Sequence, residues 1–391
     1  TLSPEGRGKS VTFDFSPENL DREFPVRGSL VYFNHAAVAP LPRRVADAIT
    51  AHTENVRDRG AADWRRWYAD IERTRAKAAR FLGAHASEVA FLPSTSWGLS
   101  AVAQAYPWRE GDNVVGDDME FPANVYPWMV LERRGVRFRA AKSRDGRVTV
   151  DDVAARVDAR TRIVAVSWVA FHNGFVYPIE EIGAFCREKG ILFVVDAIQG
   201  LGALPIDVSQ VPVDVLVADS HKWLLGAEAC ALFYVAENAR ERVPPVAAGW
   251  WNVKSEGSFL DYELDFFLGG RRYEAGSLPT AQVNGLAAAI DLLEEMGSET
   301  IAQRIAGTVR ALAEGLRVRG WRIASPEPQR SGILAAVPPD GNATRAAKEL
   351  EARGIIVSPR EGAVRFSPHA YNDDSEVERI LDAVGTFVGA S

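Results

Sequence analysis

The sequence predicts an α/β protein: a large, doubly wound, mostly parallel sheet followed by a smaller α+β lobe. Three observations lead there. Between Val31 and Phe267, short apolar runs alternate with helix-length amphipathic segments, the rhythm of strand–helix–strand units. Several of these runs are nearly continuous instead of alternating with polar residues, as strands covered on both faces are. After Gly269 and Gly270 the texture changes to two helices and a few short strands. The expected division is a large domain over 31–268 and a small one over 269–391, with the N-terminal arm, 1–30, packing on the small one.

The elements follow in order. A polar, Arg-rich stretch over 42–82 reads as helical. Buried strands are expected at 89–92, 113–116, 136–140, 162–166, 191–195, 213–217 and 229–235. Helices between them include 126–134 and 178–189. The second carries Pro178 at its first position, Glu180 and Glu181 in its first turn and Gly190 as its stop. In the small lobe, helices at 281–295 and 299–319 precede strands near 333–337, 355–357 and 364–366, and a last helix covers 374–388. There are no internal repeats.

Composition narrows the function classes. Against 45 Lys and Arg stand 52 Asp and Glu, a net charge of −7 over 391 residues. That balance argues against nucleic acid or an anionic membrane as partner. Two cysteines make no disulfide framework, and no CxxC pair is present to hold zinc. The longest apolar run, 229–236, is strand-sized, and the first thirty residues lack the apolar core of a signal peptide. A cytoplasmic protein with a small-molecule partner and no metal is expected.

Chemistry gathers at two strand ends. The run 191–195 ends in Asp196, followed by Gln199, Gly200 and Gly202; the run 213–217 leads into Asp219, Ser220, His221 and Lys222. Ligands of open α/β sheets bind outside the carboxyl ends of the strands, so Asp196 and Lys222 are placed to face one site. Such a pair suits pyridoxal phosphate: the amine condenses with the aldehyde, and the carboxylate keeps the ring nitrogen protonated so that the ring accepts carbanion electrons. Taken singly, Asp196 is a turn residue or helix cap and the His–Lys pair a solvated loop. The glycines do not make a dinucleotide fingerprint, because Pro205 stands where the third is needed.

The block over 191–235 closely resembles the class V aminotransferase family, pyridoxal-phosphate enzymes that include cysteine desulfurases, kynureninases and isopenicillin-N-epimerase-like enzymes. The likeness runs from 32–37 to 365–372. It implies fold type I, the aspartate aminotransferase type, and a homodimer with sites at the subunit interface. By the same resemblance, Lys222 matches the Schiff-base lysine, Asp196 the partner of the ring nitrogen and Gln199 the residue bonded to the phenolic oxygen. His221 matches the histidine that helps hold the phosphate, and Thr95 and Ser96 open a helix suited to the same anion. Phe121 falls where the family stacks a ring on the cofactor, and Ser277 where it reaches the other subunit's phosphate. Arg365 matches the arginine for the substrate carboxylate, while Asn173 and His35 are expected to line the substrate side.

Two departures bear on the reaction. The stretch 355–365, where desulfurases carry their catalytic cysteine, contains none; Cys186 and Cys230 read as buried structural thiols. Asp219 stands where desulfurases present a serine, so either Ser220 takes over or Asp219 turns away. The expectation is an enzyme that acts on an amino acid through a Cα carbanion, a β-eliminating or C–S-cleaving lyase. The alternatives are an aminotransferase or epimerase and, more distantly, a non-catalytic protein of this fold.

Overall fold

The computed structural model describes residues 12–254, 260 and 262–385. Arm residues 1–11 and positions 386–388 of the last expected helix lie outside them. The chain opens with helix α1 (Pro17–Glu23) and strand β1 (Val31–Tyr32). The Arg-rich stretch forms two helices instead of one, α2 (Arg43–Arg59) and α3 (Trp64–Leu82). They part at Gly60, whose φ of 53° is left-handed and ends the first helix.

The large sheet is then built from β2 (Val89–Leu92), α4 (Thr95–Ala105), β3 (Asn113–Asp117), α5 (Tyr126–Met129), β4 (Arg137–Ala141), α6 (Val150–Ala154), β5 (Thr161–Ser167), α7 (Ile179–Lys189), β6 (Leu192–Asp196), β7 (Val215–Asp219) and β8 (Ala231–Val235). Its order is β2-β8-β7-β6-β5-β3-β4. β8 pairs antiparallel with both neighbours and every other pairing is parallel, so six strands run one way. β7 starts two residues later than expected and runs through to Asp219, which makes the acid the last residue of the strand. The expected helix over 126–134 is one α-turn followed by a 3₁₀ segment, Val130–Arg134, whose tighter winding satisfies the last carbonyls before the turn at Gly135. Pro178 caps α7 instead of starting it, because its ψ of 66° is not helical.

The small lobe contains α8 (Thr280–Met296), α9 (Ser298–Val318), β9 (Arg322–Ile323), β10 (Leu334–Val337), α10 (Ala343–Glu351), β11 (Ile355–Ile356), β12 (Ser358–Arg360), β13 (Ala363–Phe366) and α11 (Asp374–Gly385). Strands β12-β13-β10-β9 form an antiparallel sheet, and β1 pairs parallel with β11. The described part of the arm is tied to the chain's end: Phe24 stacks on Tyr371, and Arg27 pairs with Asp373 and Glu376.

The large sheet is apolar on both faces. Val114, Val194, Val217 and Phe233 pack with Leu99, Val102 and Trp128 on one side, and Val115, Val164, Phe193 and Leu216 join the main core on the other. Each such side chain, fully buried, contributes roughly 1.5–3 kcal/mol. The glycines after β6 serve this packing. A Cβ on Gly202, whose φ is 98°, would lie 2.3 Å from the carbonyl oxygen of Trp223. The loop after β6 thus fits against the loop after β7 only without a side chain. Gly202→Ala is expected to destabilise the protein by about 1–3 kcal/mol in denaturant unfolding; an unchanged midpoint would overturn the close-approach account.

Candidate functional site

At the carboxyl ends of the parallel strands lies a cavity of about 340 Å³. Asp196, Gln199, His221 and Lys222 line it from the ends of β6 and β7, and Ser94, Thr95 and Ser96 from the start of α4. Phe121 and Ala123 follow β3, Ala36, Ala37 and Val38 follow β1, and Arg360 and Arg365 come from the small lobe. Eight residues singled out by sequence therefore share one space: Thr95, Ser96, Phe121, Asp196, Gln199, His221, Lys222 and Arg365.

Burial governs their charges. Asp196 is 3% exposed; desolvation pushes its carboxyl up to about 6, against the Ile198 N–H that donates to it at 3.0 Å and the charge of Lys222. Desolvation draws the Lys222 amine down to about 8, opposed by Asp196 and assisted by Arg365. Its Nζ stands 5.9 Å from the centre of the Phe121 ring. Arg365 is the least satisfied group. Its Nη1 donates to the Phe171 carbonyl at 2.7 Å, its Nε is buried without a partner, and burial with Arg360 nearby draws it down to about 9. Among the described residues no carboxylate lies within ion-pair distance of Arg360 or Arg365. A buried guanidinium without a counter-ion is a receptor for an anion.

At the other end, Ser94 caps α4 by accepting the Trp97 N–H, and the Asp219 N–H donates to Thr95 Oγ1 at 2.9 Å. Gln199 is fixed from both sides: its Oε1 accepts from Trp223 Nε1, and its Nε2 donates to the Ala36 carbonyl, both at 2.9 Å. One amide hydrogen of Gln199 remains for a ligand.

Three expected site residues lie outside this cavity. His35 is fully buried behind it, with Nδ1 at 2.8 Å from the Ser367 carbonyl and Nε2 at 2.9 Å from the Tyr371 hydroxyl. Burial and His369 hold its imidazole well below the usual range, so it braces the backbone beside Ala36 and does not reach a substrate. Asn173 spends its amide in a turn, donating to the Gly146 carbonyl and accepting the Phe175 N–H. Ser277 is exposed and away from this chain's cavity; its expected role concerns the site of a second copy.

Sequence reasoning missed three groups. Arg360 is one. The short turn at Glu361 and Gly362 pairs Arg360 with Ala363 and Ser358 with Arg365, so both arginines share a face of the hairpin; that turn was the available signal. The others are Asp117, buried at the end of β3, and Glu120, half-buried three residues on. Glu120 accepts from Ser167 N–H and Oγ at 2.5 and 2.6 Å, and Asp117 accepts from the Tyr177 hydroxyl at 3.0 Å. Burial, with Asp117 as a like charge, pushes Glu120 well up, and burial takes Asp117 up to about 6. Their partners come from strands far away in sequence, which no local pattern announces. Among the described residues no cluster of His, Cys, Asp or Glu is fit to hold a metal, and no helix is long and apolar enough to cross a membrane.

Because Glu120 binds its proton more tightly folded than unfolded, its contribution to stability falls as pH rises from about 4.5 toward its raised folded value. Glu120→Gln removes that titration. The melting temperature of the variant, relative to the parent, is expected to rise between about pH 5 and about pH 8. A difference that stays constant across that range would show Glu120 to be ionised.

Relatives bear the same stamp. The profile of the family described as aminotransferase class-V matches residues 31–380. The chain is 27% identical over 370 residues to an uncharacterized aminotransferase, YcbU, of Bacillus subtilis (strain 168), covering 94% of this chain and 97% of that one. It is 31% identical over 341 residues to a cysteine desulfurase of Enterobacter sp. (strain 638), covering 82% of each. The apo structure of a cysteine desulfurase from Thermococcus onnurineus NA1 shares the fold with a TM-score of 0.90 at 24% identity, over 97% of this chain and 100% of that one. With matches of this extent, the chain belongs to the aminotransferase class-V family, whose enzymes work with pyridoxal phosphate.

Proposed function

We propose that this cavity holds pyridoxal phosphate and that the protein is a lyase that removes a β-substituent, a sulfur group by preference, from an amino acid. The observation that carries the reading is that buried Asp196, which ends β6, and half-buried Lys222, just beyond the adjacent parallel β7, line one cavity with an arginine that lacks a counter-ion. The residues fit the cofactor. An amine lowered to about 8 is partly neutral near pH 7–8 and so nucleophilic. A carboxylate without an ion-pair partner suits a protonated ring nitrogen. The start of α4, with Ser94, Thr95 and Ser96, offers N–H groups and hydroxyls to a phosphate. When bound, pyridoxal phosphate supplies an aldehyde for amines and a ring that accepts the electron pair of a Cα bond.

The chain's own residues do the rest. Phe121, 45% exposed where it lines the cavity, would offer the cofactor a flat apolar surface. Arg365 takes the substrate carboxylate and orients Cα. The Lys222 amine, once free, accepts the Cα proton. No cysteine lines the cavity; Cys186 and Cys230 are buried, and desolvation pushes both thiols up, so neither supplies the thiolate a persulfide-forming desulfurase needs. Transamination is the second reading, favoured by the relative named an aminotransferase and by Arg360, which with Arg365 suits a substrate carrying two acidic groups. A homodimer is part of the proposal: Trp97, Tyr126, Met129 and Val130 are exposed on α4, α5 and the turn after it, and Ser277 is free to serve a partner's phosphate end. The two unpaired cysteines fit the cytoplasm.

Purified protein is expected to be yellow, and borohydride is expected to fix the chromophore to Lys222. Lys222→Ala loses the band; a colourless parent protein that takes up no cofactor would sink the proposal. Arg365→Ala is expected to raise KM for the amino acid about tenfold or more while the cofactor spectrum persists, and an unchanged KM would remove the carboxylate from Arg365. Sulfide and pyruvate formed in step identify the lyase; a cofactor bleached until a keto acid is added identifies transamination.

A further inference from the structure

The buried amide of Gln199, which lines the cavity, is clamped at both ends by groups of fixed polarity. Trp223 Nε1 donates to its Oε1 and its own Nε2 donates to the Ala36 carbonyl, both at 2.9 Å. An indole N–H can only donate and a carbonyl can only accept. The reversed amide would therefore set donor against donor at one end and acceptor against acceptor at the other. Trp223 follows Lys222 but does not line the cavity; it is fully buried, and its carbonyl oxygen lies 3.1 Å from His369 Nε2. The far edge of its indole packs on the small lobe so closely that a Cβ on Gly332 would fall 2.2 Å from Cη2. That contact leaves the ring no room on the side away from Gln199's loop.

We infer that Trp223 is a positioning residue: its indole N–H holds the Gln199 amide so that a hydrogen-bond donor, and not an acceptor, faces the cavity. The inference rests on the cofactor reading. That reading gives the ring nitrogen of pyridoxal phosphate to Asp196, its aldehyde to Lys222 and its phosphate to the start of α4. The phenolic oxygen beside the aldehyde is left, and the second Nε2 hydrogen of Gln199 is a donor fit for it. A hydrogen bond to that oxygen favours its anion and weakens its hold on a proton. An amide released from Trp223 is free to turn its own oxygen toward the anion, and the bond is lost. The titratable groups near the pair are His35 and His369 against the indole, and Asp196 and Lys222 in the cavity. Burial holds both imidazoles below their usual range, so neither ionises above neutrality.

The test is a titration by absorbance of the protein loaded with pyridoxal phosphate, from about pH 6 to about pH 10, which reads the midpoint at which the Lys222-linked chromophore loses its proton. Gln199→Leu is expected to raise that midpoint by about one pH unit, the tenfold gain in proton affinity that follows loss of one hydrogen bond to an anion. Trp223→Phe is expected to raise it as far while Gln199 is in place, and to add nothing in the Gln199→Leu background. Because Phe is smaller and the position is fully buried, a second protein carries the benzothiophene analogue of tryptophan at position 223, which keeps the shape of the ring and deletes only the N–H. The same rise is expected there. A midpoint that stays at the parent value in the analogue protein overturns the inference. So does a Trp223→Phe rise that persists in full in the Gln199→Leu background, since Trp223 then acts without the amide. A Gln199→Leu midpoint equal to the parent's overturns it as well, because the amide then gives the oxygen nothing. A parent protein that takes up no pyridoxal phosphate removes the cofactor reading instead.

Discussion

Two opposite charges taken out of water organise this molecule. Asp196 ends β6 and Lys222 stands in the loop after the adjacent parallel β7, and each is costly where it stands. Desolvation moves them toward each other, the acid up to about 6 and the amine down to about 8, so near neutrality both forms of each group lie within reach. A site meant to pass protons and accept electrons benefits from that balance. The fold keeps it by making β6 and β7 fully buried and setting their loops against each other at Gly202 and Trp223, where no side chain fits.

Around that pair, the same residues hold structure and shape the cavity. Gln199 links Trp223 to the Ala36 carbonyl, and Trp223 in turn offers its own carbonyl to His369. Arg365 donates to the Phe171 carbonyl, so the arginine that the small lobe brings to the cavity is tied to the large sheet's loop. Asp117 and Glu120 lie close together, Glu120 held by Ser167 and Asp117 by the Tyr177 hydroxyl.

Much of this was legible in the sequence, and the reason is physical. Long apolar runs have one stable use in a chain of this length, so the large sheet's strands were visible. Residues at the strand ends, Asp196 and Lys222, inherit their meaning from topology. Some short elements were not legible: α10 is nine residues, β12 contains Pro359, and β9 has two residues, and tertiary pairing makes them regular. His35 was expected to line the substrate side through the resemblance alone; its ring turns inward to partners over 330 residues away in sequence. The acid pair and Arg360 depended on register, which periodicity does not carry.

Those distant partners of the N-terminal segment bear on synthesis. β1 completes itself on β11, Phe24 on Tyr371, and the backbone at Ala36 on Ser367. One wall of the cavity is therefore set by residues over 300 positions downstream of it, made well after the segments that carry Asp196 and Lys222. On the ribosome the large sheet forms before its own entrance wall has anything to rest on. A chain truncated after Met296 would keep every strand of the large sheet yet lose the partners of β1, Phe24 and Ala36.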